Sequence, residues 1–531
     1  MIARALGCML LGVEGQLVSV EVDVGPGLPT FTVVGLPDMA VRESRDRVRS
    51  AIQNSGFDFP LRRITVNLAP ARMPKAGATL DLPIALGILR AAGLLQLSVP
   101  ERAVAVGELG LDGRLRPVPG LLSFALTARA SGLPLILPAD GLPQVALARG
   151  LRVLPARSLR EVVLRLNEGG PFRPVESLVG AKQGTPASAT NGVPPQPALT
   201  DEALAWPDCS AGDLGEIEGA WEAKRALQVA VAGGHHLLIV GPPGSGKTML
   251  VQRVASLLPP MSEAEALEVS KIRSAAGEAD LSLMRNRPVR APHPACTLAG
   301  MIGGGIPLRP GEVTMAHRGV LFLDEFPHFR SEVLEALRLP LEEGVTRLAS
   351  AAGFVTLPAR FILIAAMNPC PCGYFGHPHN PCRCRERQIR QYLAHLSGPL
   401  LDRIDMWVEM ETGRGESDRS VKPGHEGESA RLFAEVLEAR ARQRHRFGDE
   451  RLNRQIRPSE AQRLLDCTPE ALELMEAAIR KLGLSRRAHF RRLTVARTIA
   501  DLAGHDRIQK SDAAEAIQLC RGWRPPVPFT R

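Results

Sequence analysis

The stretch HHLLIVGPPGSGKTML, residues 235–250, joins an apolar run to a glycine-rich turn and a helix-forming segment. Leu237–Val240 has four apolar residues in a row, which is typical of a strand buried in a parallel sheet. The turn that follows, GPPGSGKT, satisfies the phosphate-loop pattern in the strand–loop–helix context that it requires. The backbone N–H groups of such a loop surround phosphate groups. The stretch therefore predicts a nucleotide-binding domain of the α/β class.

The side chains of this loop have separate expected tasks. Lys247 is expected to reach the β- and γ-phosphates of ATP, and Thr248 is expected to bind Mg²⁺. ATP and Mg²⁺ are therefore the expected cofactors. The predicted nucleotide-binding residues are Gly241, Pro242, Pro243, Gly244, Ser245, Gly246, Lys247, Thr248 and Asp324.

Two later apolar runs also end in polar side chains. Asp324 and Glu325 follow the run Val320–Leu323, and paired carboxylates at a buried strand end are costly unless a cation or hydrogen bonds meet them. We expect Asp324 to join the magnesium shell and Glu325 to polarise the attacking water. A third run, RFILIAAMNP, ends at Asn368, which could orient that water or contact the γ-phosphate. Asparagine before proline is also a common start of a turn.

The segment SGPLLDRID places Arg403 directly after a short predicted helix. A single arginine in such a position is usually a solvated surface residue. In a ring ATPase, an arginine here can enter the active site of the neighbouring subunit and stabilise the transferred charge.

Four cysteines lie close together in CPCGYFGHPHNPCRC, residues 370–384. Their C-x-C…C-x-C pattern can close a tetrahedral zinc site with four thiolates. His377 or His379 could replace one sulfur, although both are expected to be ordinary loop residues. The alternative is a reduced, exposed cysteine loop, which oxidises readily in a cell. The predicted zinc ligands are Cys370, Cys372, Cys382 and Cys384.

The composition is that of a cytoplasmic globular protein of two or three domains. The chain has 531 residues, 45% of them apolar, and no run approaches the roughly 20 apolar residues of a membrane span. The first residues lack the shape of a secretory signal. Nine cysteines, most of them scattered, argue against a disulfide framework. The net charge of +9 comes almost entirely from arginine, which suits phosphate contacts but is also expected of a G+C-rich genome.

Composition shifts divide the chain into five predicted segments. Both linkers are rich in Gly, Pro and Ser, and the segment after the second linker contains helical patterns only. The segments are an α/β domain at 1–165, a flexible linker at 166–212, a P-loop ATPase core at 213–412, a second linker at 413–429 and a helical lid at 430–531.

The order of these motifs resembles that of the AAA+ ATPases. The segments VRAPHPACTLAGMIGGGIPLRPGEVTMAHRGVLFLDEF, AAMNPCPCGYFG, LSGPLLDRID and, near the N-terminus, GLPTFTVVGLPDMAVRESRDRVRSAI resemble more closely the magnesium-chelatase-like ComM (YifB) family. The resemblance implies a hexameric ring that acts as a DNA helicase on branched, single- and double-stranded DNA. It also implies branch migration during homologous recombination and natural transformation, with recombination proteins as further partners.

The resemblance also assigns roles to residues. It places the Walker A residues on 241–248, the Walker B pair on Asp324 and Glu325, and sensor 1 on Asn368. It places the arginine finger on Arg403. Sensor 2 falls on Arg487 in LSRRAHF, with Arg491 as the alternative.

The family's two insertions facing the central pore would correspond to residues 272–317 and to the hairpin GVTRLASAAGFVTLP. Arg347 in that hairpin is the candidate DNA contact, and a solvated hairpin residue is the equally weighted alternative. The cysteine loop could brace the ATPase or contact DNA, and the sequence leaves both open.

The chain departs from the family pattern at three places. Pro294 follows His293 where a second His is usual, which puts the role of that loop in doubt. Ala220-Trp221 replaces Gly-Gln in the adenine-side motif. Phe326 and His328 replace Leu and Glu after the carboxylate pair, and none of these changes touches the phosphate chemistry.

The N-terminal domain resembles a Lon-protease-like (S5-type) fold. Thr79 holds the position of the protease serine, and Phe124 holds that of its lysine. Phenylalanine cannot activate a nucleophile, so we expect DNA binding or ring assembly instead of proteolysis. Two other functions remain as alternatives to the DNA motor: an ATPase subunit of a chelatase-like machine and a remodeller of protein complexes. Against the first, the acidic linker and integrin-like domain of the chelatase partner have no counterpart here.

Overall fold

The fold is mixed α/β with a helical C-terminal part, as the sequence predicts. The structure is a computed structural model, which describes residues 2–71, 75, 77–95, 102–169, 172–179, 212–278, 285–305, 308–350, 353–410, 427–482 and 485–521. Within these residues, no helix is long and apolar enough to cross a membrane.

The N-terminal part is built on one mixed sheet of eight strands. Its strands are β1 (Ile2–Leu11), β2 (Glu14–Gly25), β3 (Thr30–Val34), β4 (Arg63–Ala69), β5 (Val104–Ala105), β8 (Leu135–Pro138), β9 (Arg152–Ala156) and β10 (Arg173–Pro174), and β6 (Glu108–Leu109) pairs with β7 (Leu115–Arg116) outside it. The sheet order is β10-β9-β8-β5-β1-β2-β4-β3. Its helices are α1 (Met39–Asn54), α2 (Asp81–Ala91), α3 (Leu121–Ala130), α4 (Leu142–Val145), α5 (Leu159–Asn167) and α6 (Val175–Val179).

Elements of this part continue beyond the predicted boundary at residue 165. β10 pairs with β9, and the first residue of α6, Val175, is fully buried in the apolar cluster around α3. The Gly- and Pro-rich composition of this segment predicts a linker, yet one buried valine and one strand pairing attach it to the sheet. The predicted linkers otherwise fall largely at 180–211 and 411–426, outside the described residues.

The ATPase core is built on a five-stranded sheet in which every pairing is parallel. The order is β12-β15-β18-β11-β19, with β11 (Leu237–Val240), β12 (Val289–Arg290), β15 (Val320–Leu323), β18 (Ile362–Met367) and β19 (Met406–Glu409). β11, β15 and β18 are buried along their whole length, as their uninterrupted apolar runs predict. Two short hairpins stand apart: β13 (Gly303–Gly304) with β14 (Arg309–Pro310), and β16 (Val345–Ser350) with β17 (Gly353–Pro358).

Helices cover both faces of this sheet and continue into the lid. Those of the core are α7 (Trp221–Gly233), α8 (Lys247–Gln252), α9 (Glu263–Ala276), α10 (Leu298–Ile302), α11 (Glu312–Met315), α12 (Ser331–Ala336), α13 (Arg338–Glu343), α14 (Glu386–Leu393) and α15 (Gly398–Leu401). Those of the lid are α16 (Glu428–Phe447), α17 (Ala461–Leu464), α18 (Pro469–Leu482), α19 (Arg486–Ala503) and α20 (Lys510–Leu519). A buried ion pair, Lys224 to Glu428 at 2.7 Å, attaches α16 to α7.

The N-terminal part contacts the ATPase core through an apolar joint. The turn between β1 and β2 packs against α9 and the β16–β17 hairpin, with Val13, Ile272, Ala275, Leu348, Val355 and Leu357 buried together. Gly12 in this turn has φ +68°, and a Cβ atom there would lie 2.7 Å from the side chains of both Val355 and Leu357. In addition, the Ser274 carbonyl accepts the N–H of Gly120 at 2.8 Å, just before α3. The predicted pore hairpin is therefore seated on the N-terminal part.

Candidate active site

Three parallel strands of the core end at the same edge of the sheet. Since β11, β15 and β18 are neighbours, the residues that follow them, Gly241, Asp324 and Asn368, lie side by side. Ligands of open α/β sheets bind outside this carboxyl edge. The structure thus brings together the predicted phosphate loop, carboxylate pair and polar amide.

The phosphate loop needs its glycines at specific positions. Gly244 and Gly246 have φ values of +78° and +85°, in the left-handed region that favours glycine. A Cβ atom at Gly241 would lie 2.6 Å from the Met410 carbonyl oxygen. The start of the phosphate loop therefore follows directly from β11 and packs closely against the backbone that follows β19.

Lys247 connects the phosphate loop to Asn368. Its Nζ donates to the carbonyl oxygens of Gly241 at 2.7 Å and Pro242 at 2.8 Å, and to Asn368 Oδ1 at 3.1 Å. Burial lowers the pKa of Lys247, and the nearby charge of Asp324 opposes that shift. A phosphate group in the loop would offer this ammonium a full negative charge in place of neutral oxygens.

Thr248 and Asp324 are held together where a magnesium ion is expected. The Thr248 hydroxyl donates to Asp324 Oδ2 at 2.7 Å. Hydroxyl, carboxylate and phosphate oxygens are the hard ligands that Mg²⁺ prefers. The donor set therefore fits the ion, and these two residues would hold it against the nucleotide.

Glu325 has a strained backbone and an accessible side chain. Its φ of +52° is unusual for a residue other than glycine, and its N–H donates to Asp324 Oδ1 at 2.9 Å. The side chain is 63% exposed and lies 3.8 Å from His328 Nδ1. His328, which departs from the family pattern, therefore stands next to the predicted base. The exposed carboxylate is accessible to a water molecule.

The four cysteines of the loop at 370–384 form a compact cluster. All four sulfurs lie within 4.8 Å of one another, with Cys370 Sγ 3.4 Å from Cys372 Sγ and 3.6 Å from Cys382 Sγ. A disulfide would need about 2.05 Å. Four sulfurs around one zinc at about 2.3 Å stand roughly 3.8 Å apart. The cluster is therefore compatible with a zinc site, and the predicted ligand set is the one that comes together.

The histidines of this loop have other contacts. His377 Nδ1 accepts the N–H groups of His379 at 3.1 Å and Asn380 at 3.0 Å, so this ring shapes the loop. Among the described residues, the group of possible metal ligands here consists of the four cysteines.

The cysteine loop packs against the phosphate loop. Gly373, between the two cysteine pairs, has φ +83°, and a Cβ atom there would overlap the ring of Pro243. Cys370 is fully buried in the apolar cluster that contains Met367 and Leu323. These contacts favour the bracing role over a projecting DNA contact.

The predicted arginines lie at the opposite, amino edge of the sheet. Arg403 precedes β19, which runs parallel to β11, whereas the phosphate loop follows β11. Arg403 and Arg487 both bind Glu342, the latter at 3.1 Å. Arg491, the alternative for sensor 2, donates to the carbonyl oxygens of Asp402 and, at 3.1 Å, Ile404.

The β16–β17 hairpin exposes a basic and an aromatic side chain. Arg347 is 55% exposed and binds Glu343 at 2.6 Å. Phe354, near the hairpin tip, is 83% exposed. Phe354 is not among the residues that the sequence motifs predict, although an aromatic residue beside a glycine in a predicted hairpin is a signal that indicates it.

Two sequence departures have visible structural consequences. Ala220 has φ +52°, the conformation that explains why glycine is usual there. Trp221 is 52% exposed, and the Lys224 ammonium lies 5.0 Å from its ring centroid. In the N-terminal part, Phe124 is fully buried in an apolar cluster, so this position supplies no base near Thr79.

Comparison with known sequences matches nearly the whole chain. Residues 213–417 match the family described as magnesium chelatase, subunit ChlI, residues 20–141 match subunit ChlI of Mg-chelatase, and residues 426–520 match its C-terminal family. Competence protein ComM of Haemophilus influenzae is 40% identical over 519 residues, covering 97% of this chain and 96% of that protein. The chain belongs to the magnesium-chelatase-like ComM (YifB) family.

Other relatives support the same family and its class of ATPase. Uncharacterized protein YifB of Escherichia coli is 41% identical over 509 residues, 96% of this chain and 94% of that protein. Minichromosome maintenance protein MCM of Saccharolobus solfataricus is 24% identical over 237 residues, 41% of this chain and 30% of that protein. The chain is therefore an AAA+ ATPase of the chelatase-like type.

We expect Glu325→Gln to keep ATP binding and to lose turnover by about 100-fold or more, because the amide cannot accept a proton from water. Binding would be measured with a fluorescent ATP analogue and turnover by phosphate release. Glu332→Gln, an exposed glutamate on α12 beyond the same strand, serves as the matched control and should behave as wild type. Near-normal hydrolysis by Glu325→Gln would show that another group activates the water.

We expect Cys382→Ser to reduce bound zinc and to weaken ATP binding several-fold, because the cysteine loop supports Pro243. Metal content of unchelated protein would be measured by mass spectrometry, with nucleotide affinity measured on the same samples. Cys467→Ser, in the lid and outside the cluster, is the control. Much less than one zinc per wild-type chain would exclude the zinc site, and unchanged ATP affinity after zinc loss would exclude the bracing role.

Proposed function

We propose that this chain is an ATP-driven DNA motor that works as a hexameric ring and promotes branch migration. One observation carries the proposal: Arg403 stands at the amino edge of the sheet, whereas the phosphate site lies at the carboxyl edge. The four residues of β11 alone span about 13 Å between these edges. Arg403 therefore lies away from the phosphate site of its own subunit, which supports an active site shared with a second copy.

The residues of the site divide the work of hydrolysis. Lys247 would bind the β- and γ-phosphates, and Thr248 with Asp324 would hold Mg²⁺, which would supply positive charge against the phosphate oxygens. Glu325 accepts a proton from the attacking water. Asn368, already hydrogen-bonded to Lys247, orients the γ-phosphate or that water. Arg403 of a neighbouring copy would stabilise the charge that develops on the transferred group.

The β16–β17 hairpin is the proposed DNA contact. Exposed aromatic rings stack on bases, and arginine attracts backbone phosphates, so Phe354 and Arg347 together suit a single strand or a junction. The net charge of +9 favours a polyanionic partner.

The hairpin is connected to the nucleotide site through one strand. β17 ends at Pro358, the Ala359 N–H donates to the Gly344 carbonyl at 2.8 Å, and β18 then runs from Ile362 to the residue before Asn368. Movement of Asn368 on hydrolysis would pass along β18 to the hairpin base. The joint with the N-terminal part supports the hairpin from the other side.

The relatives supply the biological setting of the proposal. A relative of almost equal length is named a competence protein, and a protein of Gallus gallus that is 25% identical over 192 residues, 36% of this chain and 20% of that protein, is named DNA helicase MCM8. We therefore propose homologous recombination and natural transformation as the setting, with recombination proteins as partners.

We expect the wild-type protein to move a synthetic fork or four-way junction in an ATP-dependent reaction, and Phe354→Ala to slow it by about 5- to 150-fold, because base stacking is worth about 1–3 kcal/mol per base. Strand displacement would be followed on gels alongside ATP turnover without DNA. Turnover without DNA should be unaffected, since the hairpin lies outside the phosphate site.

Leu28→Ala is the control for this experiment, because Leu28 is as exposed as Phe354, at 84%, but lies in the N-terminal part. Equal effects of the two changes would remove the assignment of the hairpin. No ATP-dependent movement of any branched DNA by the assembled wild-type protein would contradict the motor and favour a remodeller of protein complexes.

A further inference from the structure

A single carboxylate binds both arginines that the family assigns to phosphate recognition. Glu342 lies near the end of α13. Its Oε2 accepts from Arg403 Nη2, and its Oε1 accepts from Arg487 Nη2 at 3.1 Å. Arg403 belongs to the loop after α15, whereas Arg487 is in the first turn of α19. Glu342 therefore connects Arg403 of the core with Arg487 of the lid.

The position of Glu342 in the fold is fixed by its neighbours. The preceding carbonyl, of Leu341, accepts Arg454 Nη2 at 3.0 Å, and Arg454 Nε donates to Asp405 at 2.8 Å. Asp405 in turn pairs its backbone with His236, immediately before β11. Glu342 and both arginines therefore stand at the amino edge, at least one strand length from the phosphate loop of the same subunit.

The charges around this carboxylate leave a surplus of positive charge. Burial opposes ionisation of Glu342, but the hydrogen bond from Arg403 and the charge of Arg487 outweigh it and lower the pKa. Glu335 also lies near Arg403 and pairs with Arg338. One carboxylate shared by two guanidinium groups neutralises only one of them.

The group is accessible from one side and anchored on the other. The Arg487 side chain is 50% exposed and that of Glu342 is 45% exposed. Arg403 is only 12% exposed, and its buried Nε has no hydrogen-bond partner among the described residues. Behind it, Arg491 binds the backbone of the same loop at Ile404. The loop is therefore held in place, with the Arg487 and Glu342 side chains about half exposed and the Arg403 side chain largely buried.

We propose that Glu342 is a positioning residue that presents Arg403 and Arg487 together to the nucleotide of an adjacent copy of this chain. Because one carboxylate holds both arginines, α19, which carries Arg487, and the loop after α15, which carries Arg403, would reach that nucleotide together. This role rests on the proposed ring, since both groups lie too far from the phosphate site of their own subunit. An ion pair that only stabilises the lid against the core is the competing explanation.

The two explanations differ in what Glu342→Gln changes. If Glu342 positions the arginines, kcat should fall by about 100-fold, as expected for reacting groups displaced by about 1 Å, while ATP affinity at the distant phosphate loop stays unchanged. Combining Glu342→Gln with Arg403→Ala or Arg487→Ala should then add little to either single change. Glu342→Asp should recover part of the lost kcat. Glu476→Gln, which removes an exposed lid carboxylate facing Arg480, is the matched control and should leave kcat unchanged.

The measurement uses full-length protein, with ATP turnover and nucleotide affinity recorded well below the melting temperature of each variant. A lower melting temperature for Glu342→Gln with wild-type kcat would overturn the positioning role, as would fully additive losses in the double variants. Turnover without DNA is the readout, so absence of branch migration would contradict the motor without affecting this result. Turnover per chain that does not depend on protein concentration, from a protein that stays monomeric, would contradict the ring itself.

Discussion

The parallel register of five short strands is the constraint on which the rest of the molecule depends. Because β11, β15 and β18 all run in one direction, the residues after them meet at a single edge, where Lys247 can bind both its own loop and Asn368. The same direction places the residues before β19 at the other edge, and Arg403 with them. In a single subunit, the phosphate loop and Arg403 therefore lie at opposite edges of the sheet. In the proposed ring, Arg403 of one copy would lie next to the phosphate loop of its neighbour.

Two accessory contacts keep this arrangement in place. The cysteine loop lies directly after Asn368 and packs against Pro243, so a zinc ion there would stiffen Asn368 and the phosphate loop together. The N-terminal part supports the β16–β17 hairpin through the buried joint around Val13 and Leu357. We expect the first contact to affect nucleotide binding and the second to affect the proposed DNA contact, and β18 lies between the two.

The sequence predicted those features that depend on short-range pattern. Three apolar runs, followed by the phosphate loop, by Asp324-Glu325 and by Asn368, predicted three strands whose carboxyl ends lie next to one another. The two C-x-C pairs predicted the cysteine cluster. Features created by tertiary contact were missed. Nothing local to Glu342 indicates that Arg403, 61 positions later, and Arg487, 145 positions later, converge on it. Gly373 and Pro243 likewise come into contact only because β11 and β18 are adjacent. In the N-terminal part, the Gly- and Pro-rich composition around residue 170 predicts a linker, so β10 and α6 were not predicted.

Mixing two inactive variants tests the shared active site most directly. Glu325→Gln subunits keep Arg403, and Arg403→Ala subunits keep Glu325, so a ring that contains both has some interfaces with a complete set of groups. The account predicts that each pure variant is inactive and that ATP turnover returns when the two are assembled together, with a maximum near equal proportions. Turnover that stays at the level of the pure variants at every ratio, in rings proven to be mixed, would contradict it.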